Sequence, residues 1–186
     1  SPLAGLPVLR ELVLSGARRV KNLRTIRGLS SLQELGLQDM GDLSTLDGLQ
    51  ECTQLTRLDL VACRGLKSAD AIIRLTSLQT LHIDRGSSLG LPIQPARSET
   101  PRAVWEVRNT LYSELQHRVQ VILRRLRAAE SIEEADEALG LLEDTHSETL
   151  VSAVAAGLQK HDGQPEVIPL PIFEHASARL AEQSPA

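Results

Sequence analysis

Residues 55–83 read LTRLDLVACRGLKSADAIIRLTSLQTLHI, and one spacing occurs in this stretch twice. Leu55, Leu58 and Leu60 are matched 23 residues later by Leu78, Leu81 and Ile83. Stepping backwards by the same interval finds Leu32, Leu35 and Leu37, then Leu9, Leu12 and Leu14, with no slip of phase. Other columns keep the same step: Leu6, Leu29, Cys52 and Leu75; Val20, Leu43, Leu66 and Leu89; Leu23, Leu46 and Ala69; Ile26, Leu49 and Ile72. The L-x-L pair has the period of a short strand, two inward side chains flanking one outward side chain. The remaining apolar residues fall three apart, as a 3₁₀ turn or short helix on the opposite side requires. One such unit cannot bury its own Leu row, so successive units must stack and share it. The expected fold class is α/β, a solenoid with a short parallel sheet.

The string L-x-x-L-x-L-x-x-N/C-x-x-L resembles the leucine-rich-repeat superfamily, over about residues 3–91. In that family an Asn or Cys after the strand hydrogen-bonds neighbouring backbone. The matching positions are Ala17, Met40, Cys63 and Gly86, of which only Cys63 fits, so the resemblance implies a weakened internal ladder. LTSLQTLHI and LTRLDLVACRGL are most similar to the 23-residue repeats of intracellular immune receptors of the nucleotide-oligomerisation type. That likeness implies a partner-sensing role in innate immunity and a cytoplasmic setting.

Leu3 and Leu6 already lie in phase with Ile26 and Leu29, so the chain opens in mid-repeat. The expectation is an N-terminally truncated solenoid over residues 1–92, its parent chain carrying further repeats or domains. The competing reading makes Ser1 to Gly5 a minimal cap or a dimer contact. After Leu89 the phase is lost in LGLPIQPARSETP, which reads as a linker or turn. A helical C-terminal region over residues 93–186 follows. Thr100 offers an N-cap and Pro101 a first helical residue. Val104, Val107, Leu111, Leu115, Val119, Ile122, Leu126 and Ala129 then predict one long amphipathic helix, expected to cover the last Leu row. A capping box from Ser131 to Glu134 starts a second helix, and a third is expected over residues 146–158 with small residues suited to close packing. The stretch VIPLPIF (167–173) reads as extended, its prolines blocking sheet pairing, with a short helix over residues 173–183.

Composition removes several function classes. Residues 1–93 carry a net charge of +2 and residues 94–186 one of −6, with only one Trp, one Tyr and one Phe, so neither half offers the basic, aromatic surface of a nucleic-acid binder. No apolar run reaches the roughly 18 residues of a membrane span. Cys52 and Cys63 are too few for a disulfide framework and suit buried thiols in a reducing compartment. Gly86-Ser87-Ser88-Leu89-Gly90 has the letters of a nucleophile elbow, but GLPIQP stands where the obligatory helix would begin. The repeat-linked ubiquitin ligases of bacteria need a cysteine in their helical part, and residues 94–186 contain none. There is no phosphate-binding G-x-x-x-x-G-K-[ST] loop. His117, His146, His161 and His175 lack zinc-like spacing. No enzyme activity, cofactor or metal is expected.

The expected binding surface is the concave strand face, where residues beside each inward Leu pair point outwards. It comprises Glu11, Val13 and Ser15; Glu34, Gly36 and Gln38; Arg57, Asp59 and Val61; and Thr80, His82 and Asp84. The strip mixes charge with small residues and lacks the aromatic anchors that dominate interface energies. Its competing reading is a plain solvated sheet, with Arg57, Asp59 and Glu34 pairing among themselves. Likewise Arg118, Arg124, Arg125 and Arg127 could draw an acidic partner or pair with Glu133, Glu134, Asp136 and Glu137. The function expected is a non-catalytic recognition module binding a protein or other macromolecule; the alternative is a stand-alone assembly subunit docking through its tail.

Overall fold

The computed structural model describes residues 8–87, 96–98, 100–143, 147–159 and 168–183. It is an α/β chain that divides into two compact units, Ser1–Ser113 and Glu114–Ala186.

In the first unit four strands, β1 (Glu11–Ser15), β2 (Glu34–Gln38), β3 (Arg57–Val61) and β4 (Thr80–Ile83), form a parallel sheet in chain order. The register keeps every partner 23 residues away: Glu11, Glu34, Arg57 and Thr80 stand in one row, and Val13, Gly36, Asp59 and His82 in the next. Short 3₁₀ turns follow β1, β2 and β3, at Arg24–Ile26, Leu49–Glu51 and Asp70–Arg74. The Leu columns between strands and turns make one buried cluster. Its burial is graded, because Leu12 and Leu14 are half-buried whereas Leu35, Leu37, Leu58, Leu60 and Leu81 are fully enclosed between neighbours on both sides.

Backbone bonds repeat with the same step. The Gln33 and Glu34 N–H groups donate to Arg10 O, those of Thr56 and Arg57 to Gln33 O, and those of Gln79 and Thr80 to Thr56 O. On the side away from the strands, Asn22 Oδ1, Thr45 Oγ1 and Ser68 Oγ each accept from the N–H two residues on, fixing the entry to each 3₁₀ turn. Behind these caps Asp47 and Asp70 are buried, again 23 residues apart. The residue after each of β1, β2 and β3 is left-handed, at Gly16, Asp39 and Ala62, with φ of 69°, 50° and 55°. Only Gly16 adopts that geometry without steric cost.

The sheet does not end at β4, contrary to the reading of residues 89–101 as a plain linker. β5 (Ala96–Ser98) pairs antiparallel with β4, Ile83 facing Ala96 and Leu81 facing Ser98. An uncovered β4 would present a row of unpaired backbone groups, and even three residues with no strand pattern suffice to pair them. Helix α1 (Pro101–Ala128) begins where its cap places it: Thr100 Oγ1 accepts from Ala103 N at 3.3 Å. Val104 and Leu111 join the Leu cluster with Val107 against it, so the first turns of α1 close the core, as its periodicity predicts. This packing carries the first compact unit on to Ser113.

The second unit holds the rest of α1 with α2 (Ile132–Glu143), α3 (Glu148–Gln159) and α4 (Leu170–Gln183). The capping box forms in part: Glu134 N donates to Ser131 Oγ, while Glu134 Oε2 accepts from Glu130 N, not from Ser131 N. Gly157 on α3 backs onto Leu123, and a methyl group there would meet Leu123 Cδ1 at 2.7 Å. One expectation is corrected, and one acid of the second helix finds its partner. VIPLPIF is not extended throughout, since α4 takes in Leu170 to Phe173, and Phe173 N donates to Pro169 O. Pro171 lies in the first turn of the helix, where a missing N–H removes no intrahelical bond. Asp136 pairs with α4 and not with the arginines of α1: His175 Nε2 lies 2.8 Å and Arg179 Nε 3.6 Å from its Oδ1.

Candidate functional site

The outward rows of β1 to β4 bring the expected strip together. Glu11, Val13, Ser15, Glu34, Gln38 and Arg57 are exposed, and Gly36, Asp59, Val61, Thr80 and His82 are half-buried. Glu11 and Glu34 stand side by side in register, on backbones one strand spacing (about 4.8 Å) apart. Val13 is 55% exposed, and its methyl groups lie over Gly36, where an added Cβ would meet Val13 Cγ2 at 3.4 Å. Further along, Arg57 Nε donates to Asp59 Oδ2 at 2.9 Å, a partly exposed pair worth under about 1 kcal/mol. The other oxygen, Asp59 Oδ1, is enclosed without a hydrogen-bond donor, since His82 Nδ1 at 4.0 Å is too distant. The strip thus runs from exposed acids to a charged cluster within which one acceptor is unsatisfied.

Asp84 is the exception among the expected strip residues, because its carboxylate is committed to the backbone. Gly16 N donates to Gln38 O and Asp39 N to Val61 O, and at the next step Ala62 N donates to the side chain, Asp84 Oδ2, at 3.1 Å. Asp84 Oδ1 accepts from Ser87 N at 2.8 Å and lies 2.6 Å from Ser87 Oγ. Ser87 Oγ in turn accepts from Cys63 N at 2.8 Å and lies 3.1 Å from Leu60 O. Burial pushes the Asp84 carboxyl up, but donation from the Ser87 hydroxyl, Ala62 N–H and Ser87 N–H outweighs it, and with His82 nearby the group sits below its ordinary range. Asp84 and Ser87 therefore supply much of what the ladder of Asn or Cys residues was expected to lack. The sequence signal was available as an Asp and a Ser flanking the empty Gly86 position.

Cys63 keeps its expected place, its thiol 3.6 Å from Leu37 O and 3.7 Å from Val61 O. Burial raises the pKa of both thiols, that of Cys52 to about 11, with Glu51 adding to the rise. Neither supplies a thiolate at neutral pH. Native protein should react with a thiol-specific reagent only at its opening rate, and should label fully in denaturant. Fast labelling of the native chain would show that the Leu columns are not closed over Cys52 and Cys63.

Of the serine motif, Ser87 is buried and spent on backbone, and Ser88, Leu89 and Gly90 lie outside the described residues. His117 is exposed, and His146 and His161 lie outside the described residues. Among the described residues no group of three or more His, Cys, Asp or Glu could hold a metal ion, and no helix is long and apolar enough to cross a membrane. No protein-family model, curated protein or solved structure matches this chain.

Proposed function

We propose that residues 1–92 form a leucine-rich-repeat solenoid whose outward strand face recognises a protein or other macromolecular partner, as the sensing portion of a larger cytoplasmic receptor of the nucleotide-oligomerisation type. The observation that carries this reading is the constant 23-residue register, with aliphatic rows buried on one side of β1 to β4 and polar rows open on the other. A non-catalytic role is supported by the commitment of Ser87 and Asp84 to backbone and by the buried, protonated thiols. The mixed charge of the strip favours steering and orientation of a partner over tight apolar contact.

The test is affinity purification with the intact parent protein, followed by mass spectrometry, comparing the natural sequence with a variant carrying Arg57→Ala, Asp59→Ala and His82→Ala. Loss of a partner held at the centre of the strip should weaken its capture at least about tenfold. Unchanged capture by a folded variant rejects the outward face as the contact. A second reading, an assembly subunit that docks through its helical tail, draws on Leu170, which is 66% exposed at the start of α4. Under that reading Leu170→Asp, and not the strip variant, removes the partner.

A further inference from the structure

The strip has no aromatic anchor, but α1 has two within the first unit. Trp105 and Tyr112 are 58% and 51% exposed, although they are two of the three aromatic residues in the chain. Seven residues apart, they differ by about 20° around the helix and about 10 Å along it. Arg108 lies between them, three residues after one ring and four before the other, where side chains share a helix face. Its Nη2 donates to Ile73 O at 2.7 Å, which holds the guanidinium in one position, and its Nε is enclosed without an acceptor. Among the described residues no carboxylate comes within ion-pair distance of Arg108. The nearby Arg102 and Glu106 are matched to each other at 3.4 Å, so Glu106 is engaged away from Arg108.

Trp, Tyr and Arg are the side chains that dominate measured interface energies, the rings because they offer large contact area with few rotatable bonds. A guanidinium already fixed by a backbone carbonyl loses little further freedom when it meets a carboxylate, and gains a charge-assisted bond. We propose that the Trp105, Arg108 and Tyr112 face of α1 is a docking site for an acidic peptide segment of a protein partner. An apolar side chain of the partner lies against the two rings and a carboxylate pairs with Arg108. The site is separate from the strand strip, so each can fail alone.

Trp105 is the only tryptophan in the chain, so its fluorescence reports from the site itself. The full chain is titrated with a short synthetic peptide of alternating Asp and Leu or Phe, and with the same peptide carrying Asn for every Asp. The acidic peptide should shift Trp105 emission to shorter wavelength and bind at least about tenfold more tightly than its neutral counterpart. Arg108→Gln and Tyr112→Ala should each remove about that factor, while the Arg57, Asp59 and His82 variant binds as the natural sequence does. Tyr112→Ala, at an exposed position, decides the matter if Arg108→Gln loses its circular-dichroism signal along with the bond to Ile73 O. Equal affinity for the two peptides, or unaltered binding by Tyr112→Ala, overturns the proposal. So does an emission shift produced by a single-stranded oligonucleotide or phosphatidylserine vesicles and not by the acidic peptide.

Discussion

Gly48→Ala removes a large part of the stability of the first unit. Gly48 is left-handed, with φ of 112°, and precedes the turn Leu49–Glu51. An added Cβ would fall on the carbonyl group of Leu23 and on Arg24 N, which are backbone atoms of the preceding turn. That turn is held close because Leu23 N donates to Asp47 O at 2.8 Å. No flexible side chain can yield, so the two turns must separate. The left-handed backbone costs an alanine about 1 kcal/mol, and parting the turns disturbs the buried cluster as well, for a total above about 3 kcal/mol. Against a typical domain stability of about 5–15 kcal/mol this is a large share. Urea titration followed by circular dichroism measures it. Gly41→Ala, where nothing lies within 4 Å of the added carbon, is the matched control. Equal urea midpoints for the two variants would refute the close approach of the turns.

Asp84→Ala is expected to cost about 1–3 kcal/mol, because it leaves Ala62 N without its acceptor at the end of the sheet and takes from Ser87 N and Ser87 Oγ the shorter of their two bonds, Ser87 N keeping Asp84 O and Ser87 Oγ keeping Leu60 O. The effect has a pH signature with a definite sign. The folded-state pKa of Asp84 is lowered, so the folded state binds its proton less readily than the unfolded chain does. Its stabilisation is therefore complete above the ordinary carboxylate pKa, about 3.9, and is lost as pH falls through the lower folded-state value. Natural and Asp84→Asn proteins should approach each other in stability across that acid window and differ by a constant amount above it. A difference independent of pH down to the acid limit would mean that the carboxylate charge plays no part.

What could be read from the sequence follows from which forces have a period. The Leu columns announce strand positions, register and the outward strip because burial recurs every 23 residues, and the structure keeps that phase from Glu11 to Ile83. Thr100, Pro101 and Ser131 mark helix starts because capping is a local matter of one or two side chains. β5 was invisible, since the short run from Ala96 to Ser98 carries no strand pattern and edge pairing makes little demand on side chains. The start of α4 was hidden because prolines in a first helical turn and in an extended strand look alike. The polar core also escaped notice: Thr45 with Asp47 and Ser68 with Asp70 are periodic, but hydrophobic spacing does not reveal them. Trp105 and Tyr112 were legible as rings, whereas Arg108 gains its meaning only from Ile73 O, 35 residues away.

The constant interval between paired strands also bears on how the first unit assembles and tolerates change in length. Each strand seeks a partner at the same modest distance along the chain, so ordering can spread from one strand to the next without closing any long loop. Loss or gain of a complete interval returns every aliphatic side chain to an equivalent neighbour. A one-residue change inside a strand sets inward against outward positions over the rest of that strand, whereas added residues in the turns between strands need not disturb the register, so length is held most tightly within the strands themselves.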